Sequence, residues 1–400
     1  MIRLPEYVQN CIELLEKSGF SAYAVGGAVR DSLIGVCPND WDVTTSARPE
    51  ETLEVFKDFR TIPTGIKHGT VTVLFESDGA LLPIEVTTFR VDGDYLDSRH
   101  PESVSFSRDV RDDLSRRDFT VNAMAYSERE GLIDAFGGSD DLKNRIIRTV
   151  GDAEQRFSED ALRILRAFRF SAQLGFEIEE KTLLGAKKCA HLLKNIARER
   201  IGAEFKKLIA SDFCAGSLEK MIESDVWEAL FFSEKPETDV VLRLSSIKSD
   251  DFAVRLAVLI NGFTDDKITE LLNSLRLSND EKKRVLRLCR VKKFDFSGEK
   301  ERKAREFLHL YRDILPLASE ILKFYFDANE FLAVLERESK QGRPLAISDL
   351  AIKGGDVLPL VGGEHRRVSE ILNLLLQRVL DDPSLNEKEK LIEIAQKSLK

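Results

Sequence analysis

Two glycines and three carboxylates carry the first chemical signal in this sequence. Gly26-Gly27-Ala28-Val29-Arg30-Asp31 follows the apolar run SAYAV at 21–25. A strand that ends in a glycine pair and opens a short helix lets the backbone approach a ligand closely, with free N–H groups for a phosphate. Arg30 would add a charge-assisted contact. The plainer reading is an ordinary tight turn. In DWDVTT, alternation puts Asp40, Asp42 and Thr44 on one face of a strand and Trp41 and Val43 on the other. Two carboxylates about 7 Å apart on one face repel unless a cation lies between them. Hard Mg²⁺ takes such oxygens together with those of a phosphate. A solvated polar face would show the same alternation. Glu85 stands between Ile84 and Val86 in a β-rich stretch, an odd place for an acid with only a structural role, and is a candidate third carboxylate from a neighbouring strand. A phosphate turn, two same-face aspartates and a third acid form the set a two-metal phosphoryl-transfer site needs.

A second set lies in SEDALRILRAFRFSAQLGF (158–176). Ser158 fits a helix N-cap, with Glu159 and Asp160 in the favourable first turn. Asp160, Arg163, Arg166 and Arg169 then share one row, beside an apolar row of Leu162, Leu165 and Phe168. Three arginines in a row need either an anion, such as a nucleoside triphosphate, or a salt-bridged face. The pairing edges of cytosine and adenine both show an amino donor beside a ring-nitrogen acceptor, and uracil and guanine show the reverse. A carboxylate only accepts and a guanidinium only donates. Asp160 against the amino group and Arg163 against the ring nitrogen would take C and A and reject U and G.

The elements that must position these residues are of two kinds. In the first 150 residues, a helix is expected over 5–18 from Val8, Cys11, Ile12 and Leu15, with Gly19 as its stop. GTVTVLFE (69–76) and LLPIEVTTF (81–89) flank Ser77-Asp78-Gly79-Ala80 as a hairpin. The polar stretch 90–107 reads as a long loop and DAFGGSDDL (134–142) as turn chemistry. After residue 150 amphipathic helices dominate, over 158–173, 198–210, 217–230, 251–262, 279–291, 301–312, 316–335 and 366–381. The class is α+β, a mixed-sheet head followed by an all-helical region.

Of the 400 residues, 42% are hydrophobic and 32% charged, the balance of a soluble globular chain rather than a disordered one. No apolar run reaches the ~18 residues of a membrane span, and acids interrupt the N-terminus where a signal peptide is apolar. Five widely spaced cysteines without CxxC fit a reducing cytoplasm. The five histidines form no HExxH pair. Net charge is −9, which argues weakly against a nucleic-acid partner. However, 281–312 holds twelve Lys/Arg against five Asp/Glu, and such a local patch could grip RNA backbone, unless it is an ordinary charged helix face.

YAVGGAVRDSLIG, NDWDVTTSA, HGTVTVLFE, IEVTTFR, RRDFTVNAMAY (116–126) and SEDALRILRAFRFSAQLGF occur in the order of the head and neck of the tRNA nucleotidyltransferase / poly(A) polymerase family, and the chain resembles its class II bacterial form. ARERIGAEFKKLI (197–209) resembles the helix that follows, and the match loosens beyond residue 210. The resemblance implies a polymerase-β-like nucleotidyltransferase head (1–150), a neck that reads the base (151–212), a body (213–312) and a tail that binds tRNA (313–400). It implies template-independent CCA addition to tRNA from CTP and ATP, the RNA 3′-hydroxyl attacking the α-phosphate and pyrophosphate leaving, with two Mg²⁺ ions. Asp40 and Asp42 would be the metal ligands and Glu85 the third catalytic carboxylate. Gly26, Gly27, Arg30 and Arg117 would hold the triphosphate, Asp118 the sugar, and Asp160, Arg163, Arg166 and Arg169 the rest of the nucleotide. Arg116 reads as a solvated surface residue. The full-length RVDGDYLDSRHPESV after the Glu85 strand argues against a CC-only enzyme, and an A-only enzyme stays open. A poly(A) polymerase would carry basic extensions, whereas this sequence ends NEKEKLIEIAQKSLK. A non-catalytic tRNA-binding protein has no need of intact Asp40, Asp42 and Glu85.

Overall fold

In the computed structural model, residues 2–77, 79–93, 104–231 and 234–399 are described. They divide into two compact units, Met1–Ser245 with Gly262–Leu277, and Ser246–Asn261 with Ser278–Lys400.

The first unit opens with helix α1 (Glu6–Lys17), which buries Val8, Cys11, Ile12 and Leu15 at the expected spacing. The chain leaves it through Gly19, whose φ of 90° suits glycine. Strands β1 (Ala22–Val25), β2 (Asp42–Thr45), β3 (Arg60–Gly65), β4 (Thr70–Ser77), β5 (Ala80–Thr88), β6 (Arg90–Asp92), β7 (Val104–Phe106), β8 (Ala125–Ser127) and β9 (Gly131–Ile133) follow. Seven of them form one sheet in the order β3-β4-β5-β2-β1-β8-β9. Every pairing in it is antiparallel except β2 with β5. One face buries Trp41, Val43, Val71, Val73, Phe75, Ile84 and Val86 against α1 and Phe56. The alternating residues Asp42 and Glu85 therefore emerge on the opposite, exposed face. The β4–β5 hairpin is as expected. The expected long loop instead begins and ends as the β6–β7 ribbon, and the rest of it, 94–103, lies outside the described residues.

Helices α2 (Gly27–Leu33), α3 (Pro49–Val55), α4 (Val110–Ser115), α5 (Gly138–Asn144), α6 (Ala153–Glu159), α7 (Leu162–Leu174), α8 (Glu180–Cys189) and α9 (Arg198–Ile209) complete the part that carries the site. Half of DAFGGSDDL is thus helix, not turn: Asp134 accepts from the N–H groups of Gly138 and Ser139 and starts α5. The helix expected over 158–173 is two helices. Asp160 is extended (φ −139°, ψ 103°) between them. The expected helices over 217–230 and 316–335 are likewise each broken in two. Apolar periodicity runs on across a two- or three-residue break, so it cannot report the break.

Helix α9 packs against the end of helix Asp265–Ser274 so closely that a Cβ on Gly202 would lie 2.2 Å from the Leu275 carbonyl oxygen. Alanine is favoured over glycine within a helix by about 1 kcal/mol, but here it drives two backbones apart. Gly202→Ala is therefore expected to lower the unfolding free energy by about 1–3 kcal/mol in denaturant titration. An unchanged or higher midpoint would show that the contact can relax.

The second unit is helical and is pinned by a buried ion pair. Arg305, in helix Lys300–Tyr311, donates to Glu338 Oε2 (3.2 Å) and to the carbonyls of Leu380 (2.7 Å) and Asp381 (3.1 Å) at the end of helix His365–Asp381. Removing one partner strands a buried charge. Arg305→Ala should lower stability by about 3–5 kcal/mol, and a loss below about 1 kcal/mol by denaturant titration would contradict that role.

Candidate active site

The parallel β2–β5 pairing sets Asp42 directly opposite Glu85. Both are exposed on one face of the sheet, and their neighbours Trp41, Val43, Ile84 and Val86 are buried beneath. Asp40 does not lie on the strand as the alternation predicts. It precedes β2 in irregular chain, because the ladder with β1 begins only at Val25–Asp42. It is still close enough to act on Asp42. Screening from water, then the charges of Glu85 and Asp40, push the Asp42 carboxyl up to about 6 against the pull of Arg117.

At the end of β1, Gly26 has φ 77° and ψ −134°, which glycine alone adopts readily. Its N–H donates to the Met124 carbonyl at 3.3 Å. A Cβ on Gly26 would stand 3.2 Å from Arg117 Nη1, and one on Gly27 3.5 Å from Arg30 Nη2. Two guanidinium groups therefore close over the glycine turn, where side chains would block them. Arg30 is fixed by Asp31 Oδ1 (2.8 Å) and Asn122 Oδ1 (2.6 Å), over the ring of Phe170. Arg117 donates to Asp113 Oδ2 at 3.0 Å, and its Nε is buried without a partner.

Asp118 is buried and occupied by the protein itself. It accepts from the Phe119 N–H (2.9 Å), Asn122 Nδ2 (3.2 Å) and Arg166 Nε (2.8 Å). Burial alone would raise its carboxyl, but Arg166 and these donors hold it at about 2.

The second set differs from expectation. Ser158 is not a cap, and its hydroxyl donates to the Glu154 carbonyl within α6. Asp160 lies ahead of α7, where Oδ1 accepts the Leu162 N–H (3.0 Å) and Oδ2 accepts Arg200 Nη2 (3.0 Å). Arg163 donates to Glu159 Oε2 (2.8 Å) and to the carbonyls of Arg156 (3.3 Å) and Arg116 (3.1 Å). Arg166 pairs with Asp118, and Arg169 lies 3.1 Å from Glu204 Oε2 over the Phe170 ring. Each arginine of the row thus has a carboxylate of the chain itself, and the row is not a free cationic face.

Arg116 is also not simply solvated. It grips buried Asp113 through Nε (3.0 Å) and Nη2 (2.7 Å). The Asp113/Arg116/Arg117 spacing of three and four residues was legible in the sequence. Arg200, forty positions from Asp160, carried no local signal.

Six of the twelve basic residues of 281–312 pair with acids outside the run. Arg284 pairs with Asp251, Arg287 with Asp313 by two hydrogen bonds (2.7 and 2.8 Å), Lys300 with Glu330, Arg302 with Asp381, Arg305 with Glu338 and Arg312 with Asp349. At least half of the basic residues counted along the sequence are therefore already paired within the fold.

Among the described residues no three His, Cys, Asp or Glu side chains close into a metal cage. Asp40, Asp42 and Glu85 offer only oxygen donors, the kind that Mg²⁺ takes together with waters and substrate phosphate oxygens. No described helix is long and apolar enough to cross a membrane.

A mixed sheet that presents carboxylates in register beside a glycine turn closed by guanidinium groups defines a nucleotidyltransferase. Residues 22–148 match the poly A polymerase head domain, and 175–242 match a probable RNA and SrmB-binding site of polymerase A. The chain is 36% identical to the CCA-adding enzyme of Ligilactobacillus salivarius, over 99% of this chain and 98% of that one. It is 37% identical to that of Anoxybacillus flavithermus, over 96% and 95%. The solved Bacillus stearothermophilus CCA-adding enzyme in complex with CTP superposes with a TM-score of 0.83 at 30% identity, covering 98% of both chains. The chain belongs to the CCA-adding enzyme family.

Proposed function

We propose that this protein builds the CCA end of tRNA from CTP and ATP without a nucleic-acid template, releasing pyrophosphate. The observation that carries the reading is the register of Asp42 with Glu85 beside a glycine turn covered by Arg30 and Arg117. Family membership supports the choice of substrates, since the relatives are CCA-adding enzymes and one is solved with CTP. Residues 1–150 act as the catalytic head and 151–212 as the neck, with 213–312 the body and 313–400 a tail for tRNA.

Within this reading Gly26 and Gly27 keep the turn open, and Arg30 and Arg117 hold the triphosphate across it. Asp118 meets the sugar edge and keeps Arg166 in place. Asp160 accepts from the amino group of C or A, and Arg163 donates to the ring nitrogen. Arg166 and Arg169 surround the nucleotide with paired positive charge. Asp40 and Asp42 would hold Mg²⁺, two ions in all, with Glu85 as the third carboxylate. Bound Mg²⁺ supplies charge stabilisation to the phosphate oxygens and acidifies the attacking hydroxyl.

The test is incubation of the purified protein with tRNA ending at position 73 and, separately, with tRNA ending in CC, each with CTP, ATP, UTP and GTP alone and in pairs. Addition of CCA to the first and A to the second is expected. Extension only of the CC-ending tRNA would identify an A-only enzyme, and no extension of either would reject nucleotidyl transfer to tRNA.

A further inference from the structure

A buried carboxylate beside the cleft has no part in the chemistry above. Asp113, on α4, has no exposed surface. Its Oδ1 accepts two hydrogen bonds from Arg116, at 3.0 and 2.7 Å. Its Oδ2 accepts from Arg117 Nη2 at 3.0 Å and from Thr44 Oγ1 at 3.2 Å. Thr44 lies on β2 two residues after Asp42, so Asp113 is tied to the carboxylate-bearing strand. Arg117 carries the opposite tip over Gly26. The Arg116 carbonyl receives Arg163 Nη2 at 3.1 Å. One carboxylate thus faces two guanidinium groups, which leaves a net positive charge at the cleft, and Arg117 still has a buried Nε without a partner.

We propose that Asp113 is a positioning residue for the nucleotide. It aims Arg117 across the glycine turn at the triphosphate, and through Arg116 it holds the carbonyl that fixes Arg163. Phosphate grip and base choice then depend on one side chain that touches neither. The proposal rests on the nucleotidyl-transfer reading, which places a triphosphate at the turn. A fixed guanidinium loses less freedom on binding than a mobile one, and its hydrogen bonds to phosphate are bidentate only in the right plane. Without the Asp113 charge, Arg116 and Arg117 repel each other, and Arg117 is free to swing off the turn.

A carboxylate that merely stabilised the fold would affect nucleotide binding equally whatever stood at position 117. The experiment is a double-mutant cycle on the full chain, with CTP affinity measured by calorimetry in the presence of Mg²⁺. Asp113→Asn, close in shape but uncharged, should weaken CTP binding by about tenfold or more in the wild-type background. In the Arg117→Ala background the same substitution should change it by less than about twofold. The ratio of UTP to CTP affinity should rise in Asp113→Asn, because Arg163 loses its support. Asp113→Glu, which restores the charge one methylene away, should recover part of the CTP affinity, and it takes over the cycle if the Asn variant does not fold. Equal weakening in both backgrounds, or an unchanged CTP affinity in a folded Asp113→Asn, would overturn the proposal. So would failure of both variants to fold, which would assign Asp113 to the core alone. Calorimetry needs no transfer reaction. A wild-type protein that binds CTP but extends no tRNA would reject the functional reading and leave the cycle readable, whereas one that extends tRNA and shows an additive cycle would reject the positioning role only.

Discussion

Asp42→Ala is expected to leave tRNA binding nearly intact and to reduce nucleotide addition by about three orders of magnitude in kcat. Asp42 is the aspartate that lies in the sheet, in register with Glu85 on the neighbouring strand. On the proposed reading, removing it takes away one of the two aspartate ligands of Mg²⁺ and leaves Glu85 without its partner across the β2–β5 register. The Asp42 carboxyl is raised to about 6 by desolvation first and by the charges of Glu85 and Asp40 second, and a cation would relieve the charge part. Asp40→Ala should act in the same direction. Substitution at either position should leave the fold intact, because both side chains are exposed and nothing packs on them as it does on Trp41 and Val43. Single-turnover addition of CMP to tRNA ending at position 73, with tRNA affinity measured on the same preparations, gives both numbers. Retention of more than about a tenth of wild-type kcat in both variants would remove these aspartates from the metal site, since loss of a ligand costs several kcal/mol.

How much of this site could be read in advance follows from the range of the interactions that build it. The face assignment of Asp42 and Glu85 was legible because strand alternation is strictly local, and buried Trp41, Val43, Ile84 and Val86 obey it. That Glu85 comes from a neighbouring strand was expected, but the parallel direction and the register opposite Asp42 were not legible, since β2 and β5 are separated in sequence by the β3–β4 excursion. The glycine turn was visible as a pattern. Its use depends on Arg30 and Arg117, which arrive from positions far apart in the chain. The helical half shows the opposite failure. Periodicity found the apolar stripe of α7 but extended it through Asp160, whose extended backbone ends α6 and whose carboxylate starts α7. The arginine row was correctly seen as needing anions, and the sequence could not say that Glu159, Asp118 and Glu204 supply them. The basic run misled for the same reason. A charge count over a window cannot include Asp251, Asp313 or Glu338, which the fold brings to it.

Base choice is where the revised geometry most sharpens an expected result. Asp160 is held on both oxygens, by the Leu162 N–H and by Arg200, so its carboxylate has a fixed direction and spare lone pairs. Arg163 is held by Glu159 and two main-chain carbonyls. A fixed acceptor beside a fixed donor suits the amino group and ring nitrogen of C and A. UTP would instead aim its O4 at the carboxylate and its N3–H at the guanidinium. Each unpaired buried group costs about 1–3 kcal/mol, more when charged, so on this reading the two mismatches together would reject UTP several hundredfold. Asp160→Ala removes the repulsion against O4. It should lower kcat/KM for CTP and ATP while raising that for UTP relative to them. The substitution also removes the hydrogen bond that Asp160 Oδ1 accepts from the Leu162 N–H, worth about 0.5–1.5 kcal/mol of stability. The CTP:UTP ratio is taken within one variant, so a partial loss of folded protein cancels from it. Arg163→Ala should depress use of both correct nucleotides, because the donor to the ring nitrogen is lost for each. The measurement is kcat/KM for CTP, ATP, UTP and GTP on both variants with one tRNA substrate. A CTP:UTP ratio in Asp160→Ala equal to that of the wild type would place base selection outside this residue and leave the Asp160–Arg200 contact as a support for the helix.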